Sequence, residues 1–117
     1  MKKTFCFDLD NTICNTTKGN YNSSSPKKNI IKIINNLFTK GHTIKIYTAR
    51  FMGRNKDNIS KAKSKGKKLT EKQLKKWNLK YHKLIMGKPS FDILIDDKSI
   101  FFNKNWPKYI EKKFKIK

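Results

Sequence analysis

The stretch Phe5 to Thr12, Phe-Cys-Phe-Asp-Leu-Asp-Asn-Thr, constrains this chain more than any other. Its apolar run, Phe5 to Phe7, stops at two carboxylates, Asp8 and Asp10, one residue apart. If residues 3–8 form a buried strand, both acids leave the sheet at its carboxyl end. That rim of an open α/β sheet is where ligands bind. Carboxylates this close repel one another unless they share a proton or a cation, so the pair points toward a metal ion. The same residue types also suit a polar turn after a strand, and the rest of the chain has to decide between the two.

Downstream, strand and helix patterns alternate. Residues 9–25 are polar and loop-like, long for a plain connection, and long loops beside a strand end carry function. Ser25 and Pro26 suit the N-cap and first position of a helix. Ile30, Ile31, Ile33, Ile34, Leu37 and Phe38 give that helix one apolar face, and Gly41 closes it as a left-handed cap. Thr43 to Thr48, with Ile44 and Ile46 alternating, reads as a second strand, and the resulting βαβ unit is expected to be parallel and right-handed. The lysine-rich segment from Arg54 to Lys68 reads as a short helix or a mobile stretch. Thr70 to Gln73 fits a capping box, with Leu69 and Leu74 as a hydrophobic staple, for a helix to about Asn78. Lys83 to Met86 is a third strand and Phe91 to Ile95 a fourth, the latter ending at Asp96-Asp97. Pro107 to Phe114 reads as a closing helix. The alternation predicts one three-layer α/β/α domain over 1–117, with a short parallel sheet.

Composition sets bounds on partners and surroundings. The 117 residues suffice for one modest core. No apolar run spans a bilayer and the start lacks a signal-peptide pattern, so no membrane association is expected. Cys6 and Cys14 are expected to stay reduced in a cytoplasmic setting, with Cys6 packed in a strand. The net charge is +21, from 29 basic and 8 acidic residues, which suits a polyanionic partner. Yet only Arg50 and Arg54 are arginines, and Asn and Ile are abundant beside Lys. All three have A/T-rich codons, so base composition accounts for the bias without nucleic acid. The lysines between Lys61 and Lys83 read as a solvated helix face, lacking the interleaved aromatics of a base-stacking groove. The scarce acids say more: four of the eight form two tight pairs, Asp8 with Asp10 and Asp96 with Asp97, each at the end of an apolar run.

Four polar signals therefore follow four expected strands: Asp8/Asp10, Thr48 with Ala49 and Arg50, Lys88, and Asp96/Asp97. In a parallel sheet they share one rim. Carboxylates hold Mg²⁺, which keeps waters and bridges to phosphate, and a carboxylate can attack phosphorus. A hydroxyl, a lysine and backbone N–H groups can hold the phosphoryl oxygens. With these residues the chain resembles the haloacid dehalogenase-like (HAD) phosphohydrolases. The motifs stand as Asp8-Leu9-Asp10-Asn11-Thr12, Thr48, Lys88 and Asp96-Asp97, and the resemblance covers Phe5 to about Phe102. The run Tyr81 to Lys98 is similar to small capless members, some described as capsule or surface-polysaccharide biosynthesis phosphatases.

That resemblance implies a Rossmann-like core without a cap domain, and a role for each residue. Asp8 is implied as nucleophile and Mg²⁺ ligand. Asp10 is implied as the acid and base for the leaving oxygen and the water, with its carbonyl on the metal. Thr48 and Lys88 would hold the phosphoryl group, and Asp96 and Asp97 would complete the metal site. Residues 11–25 can build only a flap, so the site is expected to be open or covered by a partner subunit in a homo-oligomer. By position alone, Arg50, Arg54 and Tyr21 are candidates for the leaving group, and for Arg50 a plain surface arginine is the equal alternative. The expected activity is a Mg²⁺-dependent phosphomonoesterase acting on a sugar or polyol phosphate. The alternatives are a nucleic-acid end phosphatase or nucleotidase, and a non-catalytic phosphate-binding module. His42 and His82 lie at the opposite edge and read as structural or solvated rather than catalytic, and Trp77 and Trp106 as packing residues.

Overall fold

Three segments with apolar residues at every second position form the sheet of a computed structural model, which describes residues 1–116. They are β1 (Thr4–Asp8), β4 (Thr43–Thr48) and β5 (Lys83–Met86), all parallel, in the order β1-β4-β5. The register sets Phe5 beside Ile44, Phe7 beside Ile46, and Ile46 beside Leu84, so these side chains share one face. The loop between β1 and β4 carries two short strands, β2 (Cys14–Asn15) and β3 (Ser25–Pro26), which pair antiparallel.

Helices α1 (Lys28–Thr39) and α2 (Ile59–Lys76) are the crossovers. Both steps run in the same direction across the sheet, and right-handed crossovers then lie on one face. On α1 the buried residues are Ile30, Ile31, Ile33, Ile34 and Leu37, each worth roughly 1.5–3 kcal/mol of apolar burial. Leu74 of α2 and Ile110 of α3 (Trp106–Lys113) join them with Phe7, Ile44, Ile46, Leu84 and Met86 in one cluster. Phe114 meets Phe5 edge-on and Trp106 lies against Phe7. The structure is thus α/β, but among the described residues the helices gather on a single face. The other face carries Cys6, Lys45, Tyr47 and Ile85, exposed or half-buried. The third layer expected from the alternating pattern is not among these elements, and Cys6 is exposed rather than packed.

Where the expected helix starts shift, hydrogen bonding explains it. Ser25 and Pro26 are drawn into the ladder with Asn15 and Cys14, and Lys27 donates its N–H to Ile13 O at 2.9 Å. Helix α1 therefore begins at Lys28. Gly41 closes it at φ 95° as expected, a backbone setting few other residues adopt. The Thr70–Gln73 capping box is not a cap. Asn58 is the N-cap, accepting the Lys61 N–H at 2.9 Å, and α2 runs unbroken through Thr70, whose hydroxyl donates back to Gly66 O at 2.8 Å.

The fourth strand is not formed. Residues 89–105 are exposed throughout, with Ile93 at 80% and Ile95 at 93%. The Ser90 hydroxyl donates to Asp57 at 2.8 Å, which ties the chain to the loop before α2 as it leaves β5. Alternating apolar residues suit a strand only when a neighbour supplies a ladder, and none does so here among the described residues. No described helix is long and apolar enough to cross a membrane.

At the sheet's amino edge both histidines do structural work, as expected. His42 Nδ1 accepts the Lys3 N–H and His82 Nδ1 accepts the Ile44 N–H, both at 3.0 Å. Burial, with Lys2 and Lys40 nearby, holds the His42 imidazole below its usual range. The unfolded imidazole takes a proton near pH 6.5 and the folded one only at lower pH, so stability is lost as pH falls below that value. Urea midpoints measured from pH 7 to 5.5 should decline. His42→Asn, which keeps an acceptor near the Nδ1 position, should flatten that decline, and an unchanged slope would count against His42 as its source.

Candidate active site at the carboxyl rim

Strands β1 and β5 both end against β4, and this brings two distant charges together. After Met86, Gly87 turns at φ 99° and Lys88 donates its N–H to Thr48 O at 3.1 Å. That bond aims the Lys88 side chain over Tyr47 toward β1, where Nζ meets Asp8 Oδ1 at 3.3 Å. Thr12 donates its hydroxyl to the other oxygen, Oδ2, at 3.0 Å. The Asp8 side chain is 38% exposed and that of Lys88 15%. Asp8 is therefore a fixed carboxylate with one side open to solvent.

Asp10 has a different environment. Arg50, whose side chain is 0% exposed, lies against it with Nη2 at 2.9 Å from Oδ1 and Nε at 3.1 and 3.0 Å from the two oxygens. Thr16 donates its hydroxyl to the same Oδ1 at 2.6 Å. The rest of the guanidinium reaches Ser24 at 3.2 Å, Thr70 at 3.3 Å and Gln73 at 2.5 Å. Arg50 is thus neither a surface arginine nor open to a leaving group, because each of its nitrogens already faces a protein acceptor. Thr48 is buried as well, 1% exposed, and its hydroxyl accepts the Arg50 N–H at 3.1 Å. In this structure it organises the end of β4 rather than facing solvent.

Arg54 and Tyr21 do come together, as a fastening for the loop. The Arg54 guanidinium sits 5.0 Å over the Tyr21 ring and 4.7 Å over Phe51, and donates to Gly19 O at 2.7 Å. Gln73 donates to Tyr21 O at 2.5 Å. The flap of residues 11–25 is therefore held down on the loop after β4 and on α2.

The repulsion between Asp8 and Asp10, which alone suggested a shared metal, is answered by two separate protein cations, Lys88 and Arg50. Asp96 and Asp97 lie in the exposed segment, and Asp97 is paired with Lys98 at 3.6 Å in solvent. Among the described residues no three His, Cys, Asp or Glu side chains gather as a metal site. Mg²⁺ is ordinarily held by one or two carboxylates together with waters and substrate phosphate, so it does not require such a cluster. Desolvation is the first cause that pushes the Cys6 thiol upward, and the charges of Asp8 and Asp96 add to it, while Lys88 and Lys45 oppose it.

Beside Thr12 opens a groove of about 360 Å³, lined by Lys27, Asn29, Lys104, Trp106 and others. Sequence reasoning passed over this groove, and it also missed the roles of Thr12, Thr16, Ser24 and Gln73. The spacing of Thr12 four residues after Asp8 was the one signal available. The other three act only through contacts across the fold.

No protein-family model matches the chain, and no curated protein does. A crystal structure of a structural-genomics target from Vibrio cholerae is similar, at 24% identity and a TM-score of 0.78. The alignment covers 97% of this chain and 99% of that one. At this identity the likeness concerns the fold.

Phe51 is held at φ 65°, and its ring lies where a Gly66 side chain would stand; a Cβ there would overlap Phe51 Cδ2 and Cε2. In a free helix Gly→Ala stabilises by about 1 kcal/mol. Gly66→Ala should instead lower the unfolding midpoint and loosen the Tyr21–Phe51–Arg54 stack. A raised midpoint would show that the ring moves aside freely.

Proposed function

We propose that this chain is a phosphomonoesterase of the haloacid dehalogenase type, with Asp8 as nucleophile. The observation that carries this reading is the half-exposed Asp8 carboxylate at the end of β1, held by Lys88 from the end of β5 and by Thr12. A carboxylate so placed can attack phosphorus, forming an aspartyl-phosphate as the P–O bond to the leaving group breaks. Asp10 supplies the proton to the leaving oxygen and later takes one from the water that attacks the phospho-aspartate, releasing phosphate and restoring Asp8. Lys88 stabilises negative charge on the phosphoryl oxygens, the electrostatic role of fixed donors in such transfers. Thr48 belongs to the phosphoryl site in this reading, through its hold on the Lys88 N–H.

The resemblance also implies Mg²⁺, with Asp8, Asp10 and the Asp96–Asp97 pair as its ligands. The metal would neutralise the incoming phosphate. Since the carboxylates are not gathered around one point, no step above is assigned to it. A small phosphorylated sugar or polyol suits the groove beside Thr12. Its volume lies at the low end for small-ligand sites, and Lys27, Lys104 and Asn29 offer polar contacts next to the Trp106 ring. The flap and a second subunit are the proposed cover for this otherwise open site, in a cytoplasmic setting such as polysaccharide biosynthesis. A nucleic-acid end or nucleotide substrate is the second reading, favoured by the lysine-covered outer face of α2.

Phosphate release from a panel of sugar, polyol and nucleotide phosphates and DNA ends, with and without Mg²⁺, tests the proposal. Asp8→Asn should abolish turnover with folding intact, and measurable residual turnover would remove Asp8 as nucleophile. Lys88→Ala should slow kcat by about 10²-fold. Raising salt should weaken a polynucleotide substrate steeply and a sugar phosphate little; a steep slope would overturn the preferred substrate class.

A further inference from the structure

The two oxygens of Asp10 are not equivalent. Oδ1 accepts from Thr16 Oγ1 at 2.6 Å, from Arg50 Nη2 at 2.9 Å and from Arg50 Nε at 3.1 Å, and Cys14 Sγ lies 3.6 Å away. Oδ2 accepts from Arg50 Nε alone, at 3.0 Å. A carboxylate oxygen has about two lone-pair sites, so Oδ1 is filled and Oδ2 keeps one free. The Asp10 side chain as a whole is 21% exposed, so the carboxylate is not sealed from solvent. The fork that makes this division cannot drift. Arg50 is buried, and its outer nitrogens are held by Thr70 and Gln73 on α2 and by Ser24 on the flap. A guanidinium is planar and always charged, and its donors lie in a fixed geometry that an ammonium cannot reproduce.

We infer that Arg50 is a positioning residue, which locks the Asp10 carboxylate so that Oδ2 alone carries the proton given to the leaving oxygen and taken back from the attacking water. This rests on the phosphomonoesterase reading and deepens it. Arg50 acts through Asp10, to which its Nε and Nη2 donate, and its remaining donors are taken by Thr70, Gln73 and Ser24. Ser24, Gln73 and Thr16 make the flap and α2 part of the same support, so a loosened flap misplaces the proton as well as uncovering the site.

The test compares wild type, Arg50→Lys, Asp10→Asn and the double variant. Arg50→Lys keeps the charge and loses the fork. Its kcat should fall about 10²-fold, the effect of a misplaced group of roughly 1 Å, while KM changes little. Hydrolysis of the phospho-aspartate needs the same oxygen, so phospho-Asp8 should accumulate and be visible by intact mass. A merely structural role would lower the active fraction without raising the phospho-enzyme share. In urea, the destabilisations of Arg50→Lys and Asp10→Asn should be less than additive in the double variant, which reads the clamp without any activity.

Strict additivity, or an active Arg50→Lys enzyme with wild-type kcat and no trapped phospho-enzyme, would overturn the inference while leaving the phosphomonoesterase reading standing. An inactive wild type, or an active Asp8→Asn, would overturn that reading and this inference with it. Should Arg50→Lys not fold, Gln73→Met loosens the same fork at its far nitrogen. It should trap phospho-enzyme to a smaller degree, and no trapping there is equally decisive against the inference.

Discussion

The parallel register across β4 is the constraint on which the rest of this protein depends. Asp8 pairs with Tyr47 on one side of β4, and Met86 pairs with Thr48 on the other, so all three strands stop at the same rim. The Lys88 N–H then extends the β4–β5 ladder by one bond, to Thr48 O. A lysine eighty residues from Asp8 is delivered to its carboxylate by backbone hydrogen bonds alone. A slip of one residue would turn every inner side chain outward, and the burial of Phe7, Ile44, Ile46 and Leu84 makes that slip costly.

Charge is distributed with the same economy. In a chain with a net charge of +21, the two acids at the rim each have a private cation rather than a common one. Lys88 leaves Asp8 half-open, whereas Arg50 closes around Asp10 and is itself enclosed. Removing one member of a buried pair leaves the other uncompensated, at roughly 3–5 kcal/mol. The Arg50–Asp10 pair therefore fixes the end of β4, the flap and α2 relative to one another. The aromatic fastening of Arg54 between Tyr21 and Phe51 supports the same loop from outside.

The sheet is finished on one side only. Its inner face is covered by α1, α2 and α3, while the outer face shows Cys6, Lys45 and Tyr47. The chain beyond Lys88 is exposed as far as Asn105, with Phe91, Ile93, Ile95 and Phe101 in solvent. Asp96 is felt at Cys6 on β1. Among the described residues the late acidic pair is not gathered with Asp8 into a metal site.

Much of this was legible in the residues themselves. The alternation at Thr43–Thr48 and Lys83–Met86 defined those strands to the residue, because period-two burial depends only on neighbours along the chain. The face of α1 and the left-handed Gly41 followed for the same local reason. The start of α2 was misplaced, since a capping-box pattern cannot reveal that Thr70 is already bonded to Gly66 in a longer helix. Phe91–Ile95 carried a strand pattern without a partner, and a ladder is never encoded by one strand alone. The sequence by itself determined which residues are apolar, how they alternate and that Asp8 ends a strand. Only the tertiary structure decided that Asp8 meets Lys88 while Asp10 meets Arg50. Which cation reaches which carboxylate depends on strand register and on burial from α2 and the flap, and both are properties of contacts between segments far apart in the chain.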